Sequence, residues 1–423
     1  MRDTFMNERR VVITGSGVVS CVGKSVAEFW DSLINGKCGL DKVTRFDSSE
    51  YRTQIAGEIK DFDVTKYMTP KEAKRLDLFS QFAIAASDEA MAQAGLPMEL
   101  RGSQFDPSRV GVLVSSGIGG LETLTNQHKI LLERGPNKIS PLLIPMMISD
   151  LAAGNISMRY GAEGPNIGYV TACSTGCHSI GEAFWMIKRD DADIMIAGGT
   201  ESPIVPIGFA GFCAMKAMSS RNDDPKHASR PFDATRDGFI MSEGSGVVIV
   251  EELEHALKRG ANILAEIIGY GASGDGYHIT SPHPEGRGAA AAIKMAMRHA
   301  KINPEDIDYI NAHGTSTELN DKYETMAIKN ALGDHAYKVA VSSTKGTTGH
   351  ALGAAGGLES IACINAISHN IIPPTINYEN PDPECDLNIT PNTAVERKID
   401  IALNINLGFG GHNGALLFRR FEK

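Results

Sequence analysis

The 423-residue sequence predicts an α/β protein of stacked sheet and helix layers, built from two related halves. Short apolar stretches that end in glycine-rich turns alternate with segments of helical period. The 44 glycines are spread along the chain with no low-complexity block, as many tight turns between short elements require. The strand-rich stretches fall into two sets that divide near residue 255, and each set ends in a turn crowded with reactive side chains. The expected halves are 9–254 and 255–420.

Taken in order, "RRVVITGSGVVS" opens as an apolar strand that breaks at Gly15 and Gly17. "RVGVLVSSGIGG" (109–120) repeats the strand-to-glycine form, and "ADIMIAGGTES" (192–202) follows it. "GSGVVIVEELEHALKRG" (244–260) reads as a strand leading into a helix that Gly260 ends. "NILAEIIGYG" and "IDYINAHGTST" supply later strands, and "IALNINLGFGGHNGALLFRR" closes the chain with two strands around a glycine-rich turn. Helical period appears over 83–94, 289–300 and 356–368.

Composition excludes several classes. The chain is 42% hydrophobic and 22% charged, as globular proteins are. No apolar run reaches membrane-spanning length, and the charged start "MRDTFMNERR" has no apolar signal core, so a cytoplasmic location is expected. Seven cysteines scattered through such a chain suit a reducing compartment and free thiols. Cys173 and Cys177 form CxxxC, but no second pair completes a zinc site. A net charge of −10 disfavours nonspecific nucleic-acid binding, and an acidic partner needs a local basic patch.

Two motifs mislead. "GSGVVSCVGKS" (15–25) follows a strand as a phosphate-binding loop does, but five residues separate Gly17 from Gly23 where that loop has four. Gly15-x-Gly17 also fails the dinucleotide fingerprint, because position 20 is Ser. Turn chemistry accounts for both.

"GYVTACSTGCHSIGEAF" (168–184) raises a sharper question. The apolar stretch 167–172 runs into Cys173, and small or apolar residues at 173, 177, 180, 184 and 187 then mark one helix face. Cys173 therefore stands at a strand-to-helix corner, beside unpaired N–H groups and the positive end of the helix dipole, where a thiol's pKa falls. Position alone leaves both a nucleophile and a buried structural cysteine open; the structural reading suits Cys177, Cys213 and Cys363 well. Two histidines narrow the choice. His313 follows an apolar stretch in hydroxyl-rich "NAHGTST", and His350 shares "SSTKGTTGHALGAAGG" with Lys345.

The stretches "TACSTG", "NAHGTST", "SSTKGTTGHALGAAG" and "NLGFGGHN" stand in this order and at these separations in the β-ketoacyl-[acyl-carrier-protein] synthases, and the chain resembles the type II enzymes from about Arg9 to its end. The resemblance implies the thiolase fold: two related halves, each with a five-stranded mixed sheet, layered α-β-α-β-α. It implies that Cys173 accepts an acyl group as a thioester, and that His313 and His350 serve decarboxylation and condensation of malonyl-carrier protein. Lys345 then maintains the histidine network, and the Phe409 backbone N–H joins that of Cys173 in an oxyanion hole. Thr315 and Thr317 bind the pantetheine arm, with Phe212 and Thr280 also matched as substrate-binding positions. Asp321, Glu324 and Glu359 match supporting acids, which read equally well as loop-stabilising salt bridges. Ile118 matches an acyl-tunnel position that is often glycine in type I members. His412 departs from the "GFGGTN" of many relatives. The implied chemistry needs no metal, flavin or nicotinamide.

The implied partners are acyl-carrier protein, which is acidic, and a second copy joined through the central strands. Lys66, Lys71, Lys74, Arg75, Lys129, Arg134 and Lys138 are candidates for a basic rim, or merely solvated helix faces. A thiolase would carry a second cysteine near the C-terminal turn, and "GFGGHN" has none. A non-catalytic chain-length factor usually lacks the nucleophilic cysteine. A type I synthase is the nearest alternative.

Overall fold

Nine strands of alternating or continuous apolar character form one mixed sheet in a computed structural model that describes residues 9–422. The charged start up to residue 8, read above for targeting, lies outside the described residues. The strands are β1 (Val11–Ser20), β2 (Val110–Ser115), β3 (Ile194–Glu201), β4 (Gly244–Glu252), β5 (Ala265–Gly274), β6 (Tyr309–Asn311), β7 (Ala340–Ser342), β8 (Ile401–Gly408) and β9 (His412–Arg419). They lie in the order β2-β3-β4-β1-β5-β9-β8-β6-β7. β2 and β3 are parallel, whereas β3, β4 and β1 alternate in direction. In the second half β7, β6 and β8 are parallel, and β8, β9 and β5 alternate. A short ladder from Val11–Ile13 to Ala265–Ile267 joins the halves.

The halves share a topology. Chain-order ranks in the second half run 3-2-4-5-1 from its outer edge, and the first half matches this once the 166–171 segment takes third rank. That segment makes only the isolated Val112–Asn166 bridge, so four strands stand where five were expected. The reason is local: Ser116 N–H, which would extend the ladder, bonds Ser149 O instead.

Strand alternation sorts the layers. The longer helices are α1 (Val26–Ile34), α2 (Leu78–Gln93), α3 (Leu121–Arg134), α4 (Leu151–Tyr160), α5 (Thr175–Lys188), α6 (Pro206–Ala214), α7 (Arg287–Ala300), α8 (Glu318–Leu332) and α9 (Ala355–His369). Ile194 and Ile196 of β3 pack outward with Phe79 and Phe82 of α2 and Ile156 of α4. Met195 and Ala197 face the other way, among Ile180 and Phe184 of α5 and Leu358 and Ile361 of α9. In the second half Leu403 and Ile405 pack with Ile293 of α7 and Ile328 of α8. Five layers result, α2/α4, half-sheet, α5/α9, half-sheet and α7/α8, and each buried Phe or Ile contributes about 1.5–3 kcal/mol of transfer free energy.

Contrary to the expectation of a break, β1 runs straight through Gly15 and Gly17, with a bulge between Ile13 and Gly15. Helix α2 crosses so closely that a Cβ at these positions would lie 2.2 Å from Ala90 O and 1.9 Å from Ala86 O. Among the described residues, no helix is long and apolar enough to cross a membrane.

Candidate active site

The corner at Cys173 is built differently from its expectation. Residues 167–171 are irregular rather than a strand, and a single 3-10 turn, Ala172–Ser174, leads into α5. Ala172 takes φ 52°, a left-handed conformation unusual for a residue with a side chain. Cys173 is 7% exposed, and the backbone N–H groups of Phe409 and of Cys173 itself lie near enough to its sulfur to favour the thiolate. Gly408 permits this approach, because a Cβ there would lie 2.6 Å from Thr171 O.

A thiolate at rest was the expectation from the helix N-terminus. Burial instead pushes the Cys173 thiol up to about 12, with Glu201 adding to the rise. The Lys345 cation and the Phe409 N–H pull it down without overcoming desolvation. Cys173 is a thiol in the resting protein.

A cleft of about 340 Å³ opens on this thiol and is lined by His313, His350, Thr315, Thr317, Phe409, Phe212 and Thr280 among others. His313 leaves the end of β6, and Glu324 of α8 holds that turn by accepting the backbone N–H groups of His313 (2.6 Å) and Gly314 (2.7 Å). His350 N–H donates to Ile240 O at 2.7 Å. The two imidazoles stand edge to face with centroids 5.1 Å apart. Burial holds both pKa values well below the ordinary histidine range, and Lys345 adds to the effect, so both rings are neutral. Both Nδ1 atoms are buried without a partner.

Lys345, Glu359, Glu324, Asp321 and Ile118 do not line the cleft. The buried Lys345 ammonium pairs with Glu359, which also accepts from Asn406 Nδ2 at 2.7 Å. Burial raises the Glu324 carboxyl to about 7, and the two backbone donors draw it back. Asp321 accepts the Phe232 N–H at 2.8 Å and the Ser316 N–H at 3.2 Å, and lies 3.7 Å from Arg236. The three acids act through the loops and the lysine they hold.

Around the cleft, the Thr315 and Thr317 hydroxyls are 3.0 Å apart. Phe212 packs on Phe239 at 5.5 Å and on Phe409 at 6.4 Å, and Phe239 meets His350 at 5.4 Å. Ile118 is 37% exposed, in the turn whose Gly117 packs close to Ala172 O. Phe239, Leu352 and Lys216 also line the cleft and were not foreseen, because no local motif marks them. His412 contributes its carbonyl, which accepts from Ser174 Oγ at 2.8 Å, while the residue as a whole is exposed. All seven cysteines are free; Cys177 and Cys363 are fully buried and Cys213 is half-buried.

The false phosphate loop is explained as well. Gly23-Lys24-Ser25 does precede α1, but Lys24 N–H donates to Glu28 and Val26 N–H to Glu89, each at 2.8 Å. Carboxylates occupy the place a phosphate would take.

The beta-ketoacyl synthase N-terminal domain family matches residues 8–256, and the C-terminal domain family matches 264–379. The chain is 52% identical over 415 residues to a 3-oxoacyl-[acyl-carrier-protein] synthase 2 of Coxiella burnetii, covering 98% of this chain and 99% of that protein. It is 49% identical over 417 residues to a protein of the same name from Synechocystis, covering 99% of each. Among solved structures, a beta-ketoacyl synthase of Burkholderia phymatum superposes with a TM-score of 0.90 at 32% identity, covering 98% of this chain and all of that one. A type II polyketide ketosynthase, solved in complex with its acyl-carrier protein, gives 0.88 at 35% identity, again over 98% and 100%. The five layers are those of the thiolase fold, and the chain belongs to the beta-ketoacyl synthase family.

Proposed function

We propose that this chain condenses malonyl-[acyl-carrier-protein] with an acyl group held on Cys173, giving 3-oxoacyl-[acyl-carrier-protein] and CO2 in type II fatty-acid elongation. One observation carries the reading: a buried thiol met by two backbone N–H groups shares a cleft with two neutral, unpaired imidazoles.

The Cys173 sulfur attacks the incoming thioester carbonyl and gives up its proton to the departing carrier thiol. The oxyanion that forms meets the N–H groups of Cys173 and Phe409, which already lie near the sulfur. Malonyl-carrier protein then loses CO2, and charge develops on its thioester oxygen. His313 and His350, neutral and with no bond to other side chains, donate to that enolate where the charge appears. The enolate carbon attacks the acyl-Cys173 carbonyl, the new carbon–carbon bond forms as the carbon–sulfur bond breaks, and the departing Cys173 thiolate takes a proton from water to regenerate the thiol. Burial keeps the imidazoles neutral, and Lys345, fixed by Glu359, adds to the effect. Thr315 and Thr317 hold the pantetheine arm, and Thr280, Phe212 and Phe409 line its way in.

The acidic carrier docks on exposed lysines and arginines. Lys216 stands at the cleft mouth, and Lys66, Lys71, Lys74, Arg75, Lys129, Arg134 and Lys138 are all exposed. A second copy covers the exposed Leu131, Leu132, Ile144, Met158, Ile167 and Val170, apolar residues on α3, the short helix Leu143–Met147, α4 and the segment before Cys173. The free thiols suit the cytoplasm.

Incubation with acyl- and malonyl-carrier protein tests the reaction. CO2 and 3-oxoacyl-carrier protein should appear in equal amounts; CO2 without a lengthened product would overturn the condensation. Ile118→Phe tests the tunnel, because added bulk there should stop long primers while short ones condense. Equal slowing at every length would remove Ile118 from the tunnel wall.

A further inference from the structure

We propose that Glu201 is a positioning residue that sets where the acyl tunnel ends, by fastening the Ile118 turn to the Leu352–Ala354 turn that leads into α9. The inference rests on the tunnel role of Ile118 given above.

Glu201 is the last residue of β3 and is fully buried. A lone carboxylate there needs donors, and this one has four, drawn from two separate loops. Oε2 accepts the N–H of Gly117 at 2.9 Å and that of Gly353 at 3.0 Å. Oε1 accepts the Ile118 N–H at 3.2 Å and the Ser116 hydroxyl. Ser116 Oγ in turn accepts from Gly119 N–H at 2.7 Å. The whole 116–119 turn is thus gathered on one side chain. Burial raises the carboxyl to about 7, and these same donors draw it down.

The turn cannot shift independently of the thiol. A Cβ on Gly117 would lie 2.9 Å from Glu201 Oε2 and 3.0 Å from Ala172 O, the residue before Cys173. Gly353 follows Leu352, which packs in one apolar cluster with Cys173. Glu201 therefore ties together two loops, one of which packs directly on the residue before Cys173. Only a carboxylate suits this place, because both oxygens accept. A glutamine of the same shape would present its NH2 to N–H donors on one side.

Steady-state kinetics across primers of graded length tests the assignment on Glu201→Gln, with Ile118→Phe run in parallel. Loss of a charged acceptor corresponds to about tenfold. KM for long acyl-carrier primers should rise by about that factor, with short-primer KM and malonyl decarboxylation changing less than about twofold. Equal losses at every length, or no loss, would overturn the role of Glu201. If Ile118→Phe blocks long primers while Glu201→Gln leaves the length profile untouched, the tunnel stands and this proposal falls. If Ile118→Phe has no effect on length, the tunnel itself falls and takes the proposal with it. Ser116→Ala, which removes one donor and leaves the carboxylate, should shift the profile in the same direction by less; it decides the matter if Glu201→Gln does not fold.

Discussion

The corner at Cys173 has a twin in the second half. Ala172–Ser174 forms a 3-10 turn with φ 52° at its first residue and runs into α5; Leu352–Ala354 does the same with φ 48° and runs into α9. Cys173 and Gly353 hold the same place in the two turns, and both helices present unpaired N–H groups there. At the first corner a sulfur faces a cleft, and the N–H groups of Cys173 and Phe409 lie near it. At the second, the Gly353 N–H already donates to Glu201, and a Cβ would lie 2.5 Å from Gly117 N. One backbone device therefore faces a cleft in one half and packing in the other. A helix N-terminus makes a reactive site only where its N–H groups are left open to a ligand.

The largest expected effect belongs to the sulfur. Intact mass spectrometry after incubation with acyl-carrier protein should show one acyl adduct, and none in Cys173→Ala. An adduct surviving that substitution would mean another of the seven thiols reacts, and the contrast between the corners would lose its meaning. Next come the imidazoles. His313→Ala or His350→Ala should cut condensation on the order of a hundredfold while leaving acyl loading largely intact, as removal of a charge-stabilising donor does. Near wild-type condensation in both would remove them from the enolate.

The pH dependence of Cys173 alkylation sharpens the comparison further. A thiol raised to about 12 is protonated throughout the neutral range, so its thiolate fraction grows as pH rises. Iodoacetamide should react about tenfold faster per pH unit between about pH 7 and about pH 10. A plateau near neutrality would show that the helix N-terminus outweighs desolvation after all. The smallest effect is expected at the silent corner. Gly353→Ala should lower stability in urea by about 1–3 kcal/mol through overpacking against Gly117 and Glu201. No loss would mean that the second turn is looser than its contacts indicate.

Local chemistry made much of this legible beforehand. Apolar stretches next to glycine-rich turns contain β2, β3, β4, β8 and β9, because the side chains of these strands are buried in continuous runs. The corner cysteine, the two histidines and Lys345 stood out because reactive residues crowd glycine-rich turns. Short β7 was not foreseen: its three residues carry too little pattern to distinguish them from a loop. Gly15 and Gly17 read as a strand break, since the sequence does not show that α2 passes 1.9–2.2 Å from where their Cβ atoms would sit. Phe239 and Leu352 were invisible for a related reason, being ordinary core residues until the fold sets them beside the thiol.

The sequence by itself determined the α/β class, the duplicated plan, and the placing of Cys173, His313 and His350 in or beside glycine-rich turns, because each depends on residue type and near-neighbour order. Tertiary structure alone decided their chemical states. Burial turns Cys173 into a resting thiol and keeps both histidines neutral, and a pKa depends on how much water the whole fold excludes. It also decided which of the two like corners is open. That rests on Glu201, which lies 152 residues before Gly353 in the chain and caps its N–H. Long-range packing brings that carboxylate to one helix end and a cleft to the other.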